Sequence, residues 1–252
     1  MIIVIQCKDQ VGLVSNIAGV LAAEGLNIVS LREHVDMDGR RFFMRVEVEQ
    51  ETDAHVLRHQ LTKVLPEGAS VAVNPLPEKK VVVMVTKEHH CLADILIRYH
   101  FRTLGASVLC VIGNHATLQD ICERFDVPFV CVPGEGISKA LFEEKILSVV
   151  QQYQPDYIVL AKFMRILSPS FLAHFPDRII NIHHSFLPAF AGASPYRQAF
   201  ERGVKLIGAT AHFVTDQLDE GPIIAQQIIP VNHSYTARDM MRAGKEIETA
   251  VL

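Results

Sequence analysis

Hydrophobic positions follow two different rhythms along the chain, and the change comes near residue 75. Before it, residues 2–6 form a short apolar strand, and Val14, Ile17, Ala18 and Leu21 recur at helical spacing until Gly25 stops them. Residues 26–35 read as a second strand. Residues 41–49 alternate, with Phe42, Met44, Val46 and Val48 on one face and Phe43, Arg45, Glu47 and Glu49 on the other, the period of a strand covered on one side. Asp38-Gly39 between these strands is a hairpin signal. Leu57, Leu61, Val64 and Leu65 mark a second helix, and 70–73 a last strand. The order βαββαβ predicts a ferredoxin-like unit over residues 1–74.

Residues 75–80 read as a linker, stiffened by Pro75 and Pro77 and kept exposed by Glu78, Lys79 and Lys80. Beyond it the runs 81–85, 108–112, 129–132, 157–161 and 179–182 are continuously apolar. Helical stripes separate them: Leu92/Ile95/Leu96/Tyr99, Leu118/Ile121/Cys122/Phe125 and Phe142/Ile146/Val149/Val150. This alternation predicts a doubly wound, mostly parallel α/β domain over residues 81–252. The runs at 206–213 and 223–229 have only a loop between them and should pair antiparallel. Thr236-Ala237-Arg238-Asp239 is a capping box for a helix carrying Met240, Met241, Ala243, Gly244, Ile247 and Leu252.

Composition narrows the partners. The net charge of −4 over 252 residues, with no basic run, gives no reason to expect a nucleic-acid partner. No apolar run reaches 18 residues and no basic segment precedes the first strand, so neither a membrane span nor a secretory signal is expected. Five cysteines without a Cys-x-x-Cys spacing read as reduced, buried thiols of a cytoplasmic protein. Twelve scattered histidines, with neighbours such as His89-His90 and His183-His184 diverging, predict no metal site.

Candidate chemistry sits at the end of the run 179–182. Asn181 and His183 are two residues apart, hence on one face, where a strand gives way to a loop ended by Pro188. In an open α/β sheet ligands bind at the carboxyl ends of strands. An amide donor beside an imidazole suits the polarising of a carbonyl and the holding of an oxyanion. Alone, the pair fits equally an Asn capping a turn and a His satisfied by backbone.

Residues 208–222 read Gly-Ala-Thr-Ala-His-Phe-Val-Thr-Asp-Gln-Leu-Asp-Glu-Gly-Pro. Together with Asn181-Ile182-His183 they resemble the folate-dependent formyltransferase superfamily, whose catalytic trio is Asn, His and Asp. The resemblance puts the trio on Asn181, His183 and Asp219. The spelling His183-His184-Ser185-Phe186-Leu187-Pro188-Ala189-Phe190, with Gly192 to Tyr196 after it, is similar to the 10-formyltetrahydrofolate deformylase branch. That likeness implies hydrolysis of the folate to formate and tetrahydrofolate, formate being supplied to purine biosynthesis, with no separate cofactor. It places folate contacts at Met164, Arg165, Ile166, Leu167 and Thr215, and supporting roles at His184 and His212. Arg165 fits either the carboxylate tail of the folate or an acidic neighbour, and Ile166 and Leu167 fit ordinary helix-start packing equally.

A formyltransferase with an amine acceptor is the alternative. Against it, the turn after the first strand of the second unit reads Thr86-Lys87-Glu88-His89-His90-Cys91. It has no glycine to let backbone N–H groups cradle a substrate phosphate, and Glu88 would repel one. In the first unit, Asp9-Gln10-Val11-Gly12-Leu13 and Asn27-Ile28 resemble the ACT domain, a regulatory fold. The likeness implies an amino-acid effector at Asp9, Gly12, Leu13 and Asn27, with Asp9 capping the first helix. It equally fits a dimerisation surface. A homo-oligomer, dimer or tetramer, is expected through residues 1–73, with the apolar stripe of 41–49 on offer. The helix after Thr236 stops at Val251-Leu252 where deformylases generally continue, as a truncated sequence would.

Overall fold

The computed structural model describes residues 1–74, 78–189 and 195–252. It divides into two compact units, residues 1–77 and 78–252. Part of the expected linker (75–77) and the Gly192 to Ser194 stretch lie outside the described residues.

The first unit runs β1 (Ile2–Lys8), α1 (Leu13–Ala23), β2 (Ile28–Asp36), β3 (Arg41–Val48), α2 (Ala54–Val64) and β4 (Ser70–Val73). Its antiparallel sheet has the order β2-β3-β1-β4. Ile3, Ile5 and Cys7 of β1 and Phe42, Met44, Val46 and Val48 of β3 bury against Leu13, Ile17 and Leu21 of α1 and Leu57 and Leu61 of α2. The stripe on β3 is therefore spent on this unit's own core and is not available to a partner, a correction to the expectation. A second correction concerns the start of α1. Its N-cap is Gly12, at φ 90 and without a side-chain cap, so Asp9 lies too early to cap the helix and stays exposed. That start also turns the helix by one residue: Leu13 faces the core and Val14 the solvent.

The second unit runs β5 (Lys79–Val85), α3 (His90–His100), β6 (Ala106–Gly113), α4 (Gln119–Arg124), β7 (Phe129–Cys131), α5 (Lys139–Tyr153), β8 (Tyr157–Leu160), α6 (Pro169–Leu172), β9 (Ile179–His183), α7 (Pro195–Glu201), β10 (Leu206–Phe213), β11 (Ile223–Pro230) and α8 (Ala237–Val251). Its sheet order is β11-β10-β9-β8-β5-β6-β7. Strands β5 to β9 pair in parallel, and β10 pairs antiparallel with both β9 and β11. Both faces are covered, which is why the strands read as unbroken apolar runs. Val81, Val83 and Val85 of β5 bury against α3 and α8, while Val82 and Met84 bury against Phe142, Ile146 and Val150 of α5. From β5 the chain winds one way to β6 and β7 and the other way to β8 and β9. That reversal leaves a crevice at the carboxyl ends of β5, β8 and β9. All five cysteines are free thiols. Among the described residues no helix is long and apolar enough to cross a membrane.

Candidate active site

Asn181 and His183 leave the same face of β9 at its carboxyl end, between β8 and β10. The loop between β10 and β11 brings the third group. It is pinched shut by the Phe213 N–H donating to Pro222 O at 2.9 Å. The pinch needs Gly221, because a Cβ there would overlap the Phe213 carbonyl. Asp219, itself at φ 60, then reaches His183, with Nδ1 to Oδ1 at 3.2 Å. This hydrogen bond is the first cause holding the Asp219 carboxyl below its ordinary value; the charges of His183 and His212 add to it against burial. A carboxylate only accepts, so Nδ1 of His183 carries a proton. The other ring nitrogen, Nε2, is buried and has no hydrogen-bond partner among the described residues.

His212 sets the orientation of Asn181, its cross-strand neighbour on β10. Its Nδ1 donates to the Phe213 carbonyl at 2.9 Å, which leaves Nε2 as an acceptor. The Asn181 amide donates to that Nε2 at 3.2 Å. Burial lowers the His212 pKa and keeps the ring neutral, as this pattern requires. One amide N–H of Asn181 is thereby anchored, and among the described residues the other has no partner and can serve a ligand. The loop after His183 is stapled to β10 by buried Thr210. Its hydroxyl donates to Ser185 O at 2.9 Å and accepts from the Leu187 N–H at 3.1 Å. Gln226 adds a bond to Leu187 O at 3.0 Å.

The loop after β8 lines the crevice. Met164 and Ile166 are 60% and 63% exposed and present apolar side chains two residues apart. Leu167 faces the core with Phe142 and Phe163, the packing alternative of the sequence, and leaves its backbone as the group a ligand could meet. Arg165 lies with its guanidinium 4.7 Å from the Phe142 ring centroid and against Gly134, and has no ion pair among the described residues. Met164 N–H donates to Thr86 Oγ1 at 2.9 Å, tying this loop to the one after β5. Thr215 is half-buried and donates to Gln217 O at 3.0 Å within the loop that carries Asp219.

Sequence reasoning missed a second polar cluster. Glu248, 1% exposed on α8, accepts from Tyr196 Oη at 2.8 Å and pairs with His90 Nε2 at 2.7 Å and Lys162 Nζ at 3.1 Å. Burial works to raise its pKa, but His90, Lys162 and Tyr196 bring it down to about 2. The one available signal was a charged residue on the apolar stripe of α8. His90, Cys91 and Glu248 hold possible ligand atoms within 4.8 Å of one another. Burial pushes the Cys91 thiol up to about 12, and Glu248 is already taken by three partners, so the donor set is closed on itself. Near it, Glu88 pairs with Lys245 of α8 at 2.6 Å.

A family model for formyl transferase matches residues 79–252, which is the unit that carries this site. The chain belongs to the formyl transferase family. An ACT domain model matches residues 1–61. The formyltetrahydrofolate deformylase of Escherichia coli strain K12 is 52% identical over 246 residues, which cover 98% of this chain and 88% of that protein. The Bacillus subtilis protein of the same name is 41% identical over 260 residues, covering 99% and 85%. A crystal structure of a formyltetrahydrofolate deformylase from Pseudomonas syringae matches with a TM-score of 0.89 at 38% identity, over 99% of this chain and 86% of that one. A phosphoribosylglycinamide formyltransferase from Brucella melitensis matches with a TM-score of 0.65 at 30% identity, over 69% and 91%. Within this formyl transferase unit, then, Asn181, His183, Asp219 and His212 stand together, with Met164 and Ile166 along the crevice.

The expected effector residues belong to the ACT unit. Asp9 and Gly12 are exposed at the start of α1, and the Leu13 side chain is in the core. Asn27 donates its backbone N–H to Gln50 Oε1 at 2.7 Å and its amide to Glu49 Oε2 at 3.4 Å. A cavity of about 520 Å³ in this unit is lined by Cys7, Lys8, Asp38, Arg40, Arg41 and Glu67 among others, and by none of the four.

Proposed function

We propose that the chain hydrolyses 10-formyltetrahydrofolate to formate and tetrahydrofolate, with Asn181, His183 and Asp219 as the catalytic trio. The observation that carries the reading is the imidazole anchored at Nδ1 by Asp219, with Nε2 unpartnered among the described residues, on the strand face it shares with an amide that is itself anchored. Water attacks the formyl carbon and the carbonyl oxygen takes the negative charge. Asn181 and the Nε2–H of His183 donate to that oxygen. Asp219 keeps the ring charged and steers the water. As the C–N bond breaks, His183 gives its Nε2 proton to the leaving nitrogen. The proton lost by the attacking water restores His183, and the acid proton of the formic acid goes to solvent. Met164 and Ile166 flank the folate ring, with backbone groups up to Leu167 reading its edge and Thr215 on the facing loop. Arg165 of the same loop, lying on Phe142, is the cation offered to the folate tail.

Hydrolysis rather than transfer follows from what fills the turn after β5. Glu88 there neutralises Lys245, so a phosphate-bearing acceptor would meet a carboxylate and find its cation already paired. The test is formate release from 10-formyltetrahydrofolate with and without an added amine. Equal formate in both arms supports the reading, and formate that appears only as formylated amine removes it.

For the ACT unit we propose a small amino acid as effector, held by the uncapped N–H groups of α1 at Gly12, by Asp9 and by Asn27. We also propose a homo-oligomer. With the β3 stripe buried, the apolar groups left to a partner include Val29 and Leu31 of the edge strand β2 and Val4 of β1 on the sheet, besides Val11, Val14, Met37 and Val56 elsewhere in the unit. Turnover across an amino-acid panel, and light scattering at micromolar concentration, check the two. An unchanged rate removes the effector, and a monomer removes the oligomer.

A further inference from the structure

The buried cluster around Glu248 has no part in the steps above, yet it borders the catalytic imidazole. His184 is the link. Its ring centroid lies 5.2 Å from that of His183 and 6.2 Å from that of Tyr196, whose hydroxyl bonds Glu248. The groups whose charge reaches His184 come from every side: Lys162 from the loop after β8, Glu248 from α8, His183 from β9 and Asp219 from the β10–β11 loop. Lys162 stands out among them. It is buried, and its backbone is at φ 61, a left-handed conformation that a lysine adopts only at a cost. Its ammonium is fixed 3.1 Å from Glu248. A left-handed backbone and a buried cation, paired with the carboxylate that Tyr196 joins to the His184 ring, point to a role for the charge.

We propose that Lys162, anchored by Glu248, is a positioning residue that keeps His184 uncharged beside His183, so that the one proton used in the reaction stays on His183. This rests on the reading of His183 as the acid. Two imidazoles this close compete for protonation, because a second cation repels the first. Asp219 favours the charge on His183 by direct contact, and Lys162 disfavours it on His184. Burial first, and then the Lys162 charge, hold the His184 ring down to about 4, against the pull of Glu248 and Asp219. Glu248 holds the Lys162 ammonium at 3.1 Å, with Tyr196 and His90 satisfying the remaining acceptor sites of the carboxylate.

The experiment is NMR titration of the His184 ring in the full chain, for wild type, Lys162→Met, Lys162→Arg and Glu248→Gln. It needs no turnover, so it reads the proposal even if the reaction is another. The expected result is an upward move of the His184 titration by at least about one pH unit in Lys162→Met. Lys162→Arg should stay near wild type, and Glu248→Gln should not move upward. Where substrate is turned over, the acid limb of kcat moves up with Lys162→Met, and the move disappears in Lys162→Met/His184→Asn. An unmoved His184 in folded Lys162→Met overturns the proposal. Should that variant not fold, a rise in Glu248→Gln overturns it instead.

Discussion

At the scale of single residues, the site is a chain of fixed orientations that starts at a backbone carbonyl. Phe213 O sets the tautomer of His212, His212 aims Asn181, and Asp219 aims His183. Asn181→Ala, His183→Ala and Asp219→Ala should each lower formate release by at least about 10²-fold while the fold persists. Steady-state kinetics beside circular dichroism check this, and near-normal turnover in any one removes that residue from the mechanism. His212→Phe should cost about tenfold in kcat with little change in KM, since it loosens a donor without touching the folate. The meeting of Asn181, His183 and Asp219 was legible because two of them share a strand face and the third lies in a long motif. Lys162, Tyr196 and Glu248 were not legible. Each is a lone polar residue at an element end or on an apolar stripe, and they meet only when α7, α8 and the loop after β8 converge.

Among the elements, α8 matters most to this account because it carries Glu248 and Lys245. Thr236 and Asp239 close its capping box reciprocally, as the sequence pattern indicates. Gly244 faces the Tyr196 ring so closely that a Cβ would overlap it. Gly244→Ala should therefore destabilise the protein by about 1–3 kcal/mol and displace Tyr196 from Glu248. Urea unfolding checks the first effect; an unchanged midpoint would mean that α8 can shift freely. Long periodic elements were read well from the sequence. The phase of α1 was misread because its start is set by a left-handed Gly12 and not by a capping side chain. The four residues of α6 and the seven of α7 are too short to show a period.

Across the whole molecule, buried carboxylates make stability depend on acid. The Glu248 pKa falls from its ordinary 4.5 to about 2 on folding, so its charge stabilises the native state above pH 4.5. That contribution, on the order of 3 kcal/mol, declines as pH falls below 4.5 and is gone by about 2. Asp219 is lowered too and adds loss in the same direction. Urea midpoints measured from pH 6 to 2 should fall across this window, and Glu248→Gln should flatten the lower part of the curve. An identical slope in the variant would show that the cluster is not coupled to folding. The two-unit plan was legible from the change of hydrophobic period near residue 75. The crevice was legible only in outline, because the strand order that places β9 beside β8 and β10 depends on long-range pairing.

The central claim is that water is the formyl acceptor. Turnover of 10-formyltetrahydrofolate in ¹⁸O-labelled water, without any amine present, tests it directly by mass spectrometry of the formate. The account predicts formate carrying one labelled oxygen, at a rate that collapses in His183→Ala. Formate without label, or none until an amine is added, would contradict it.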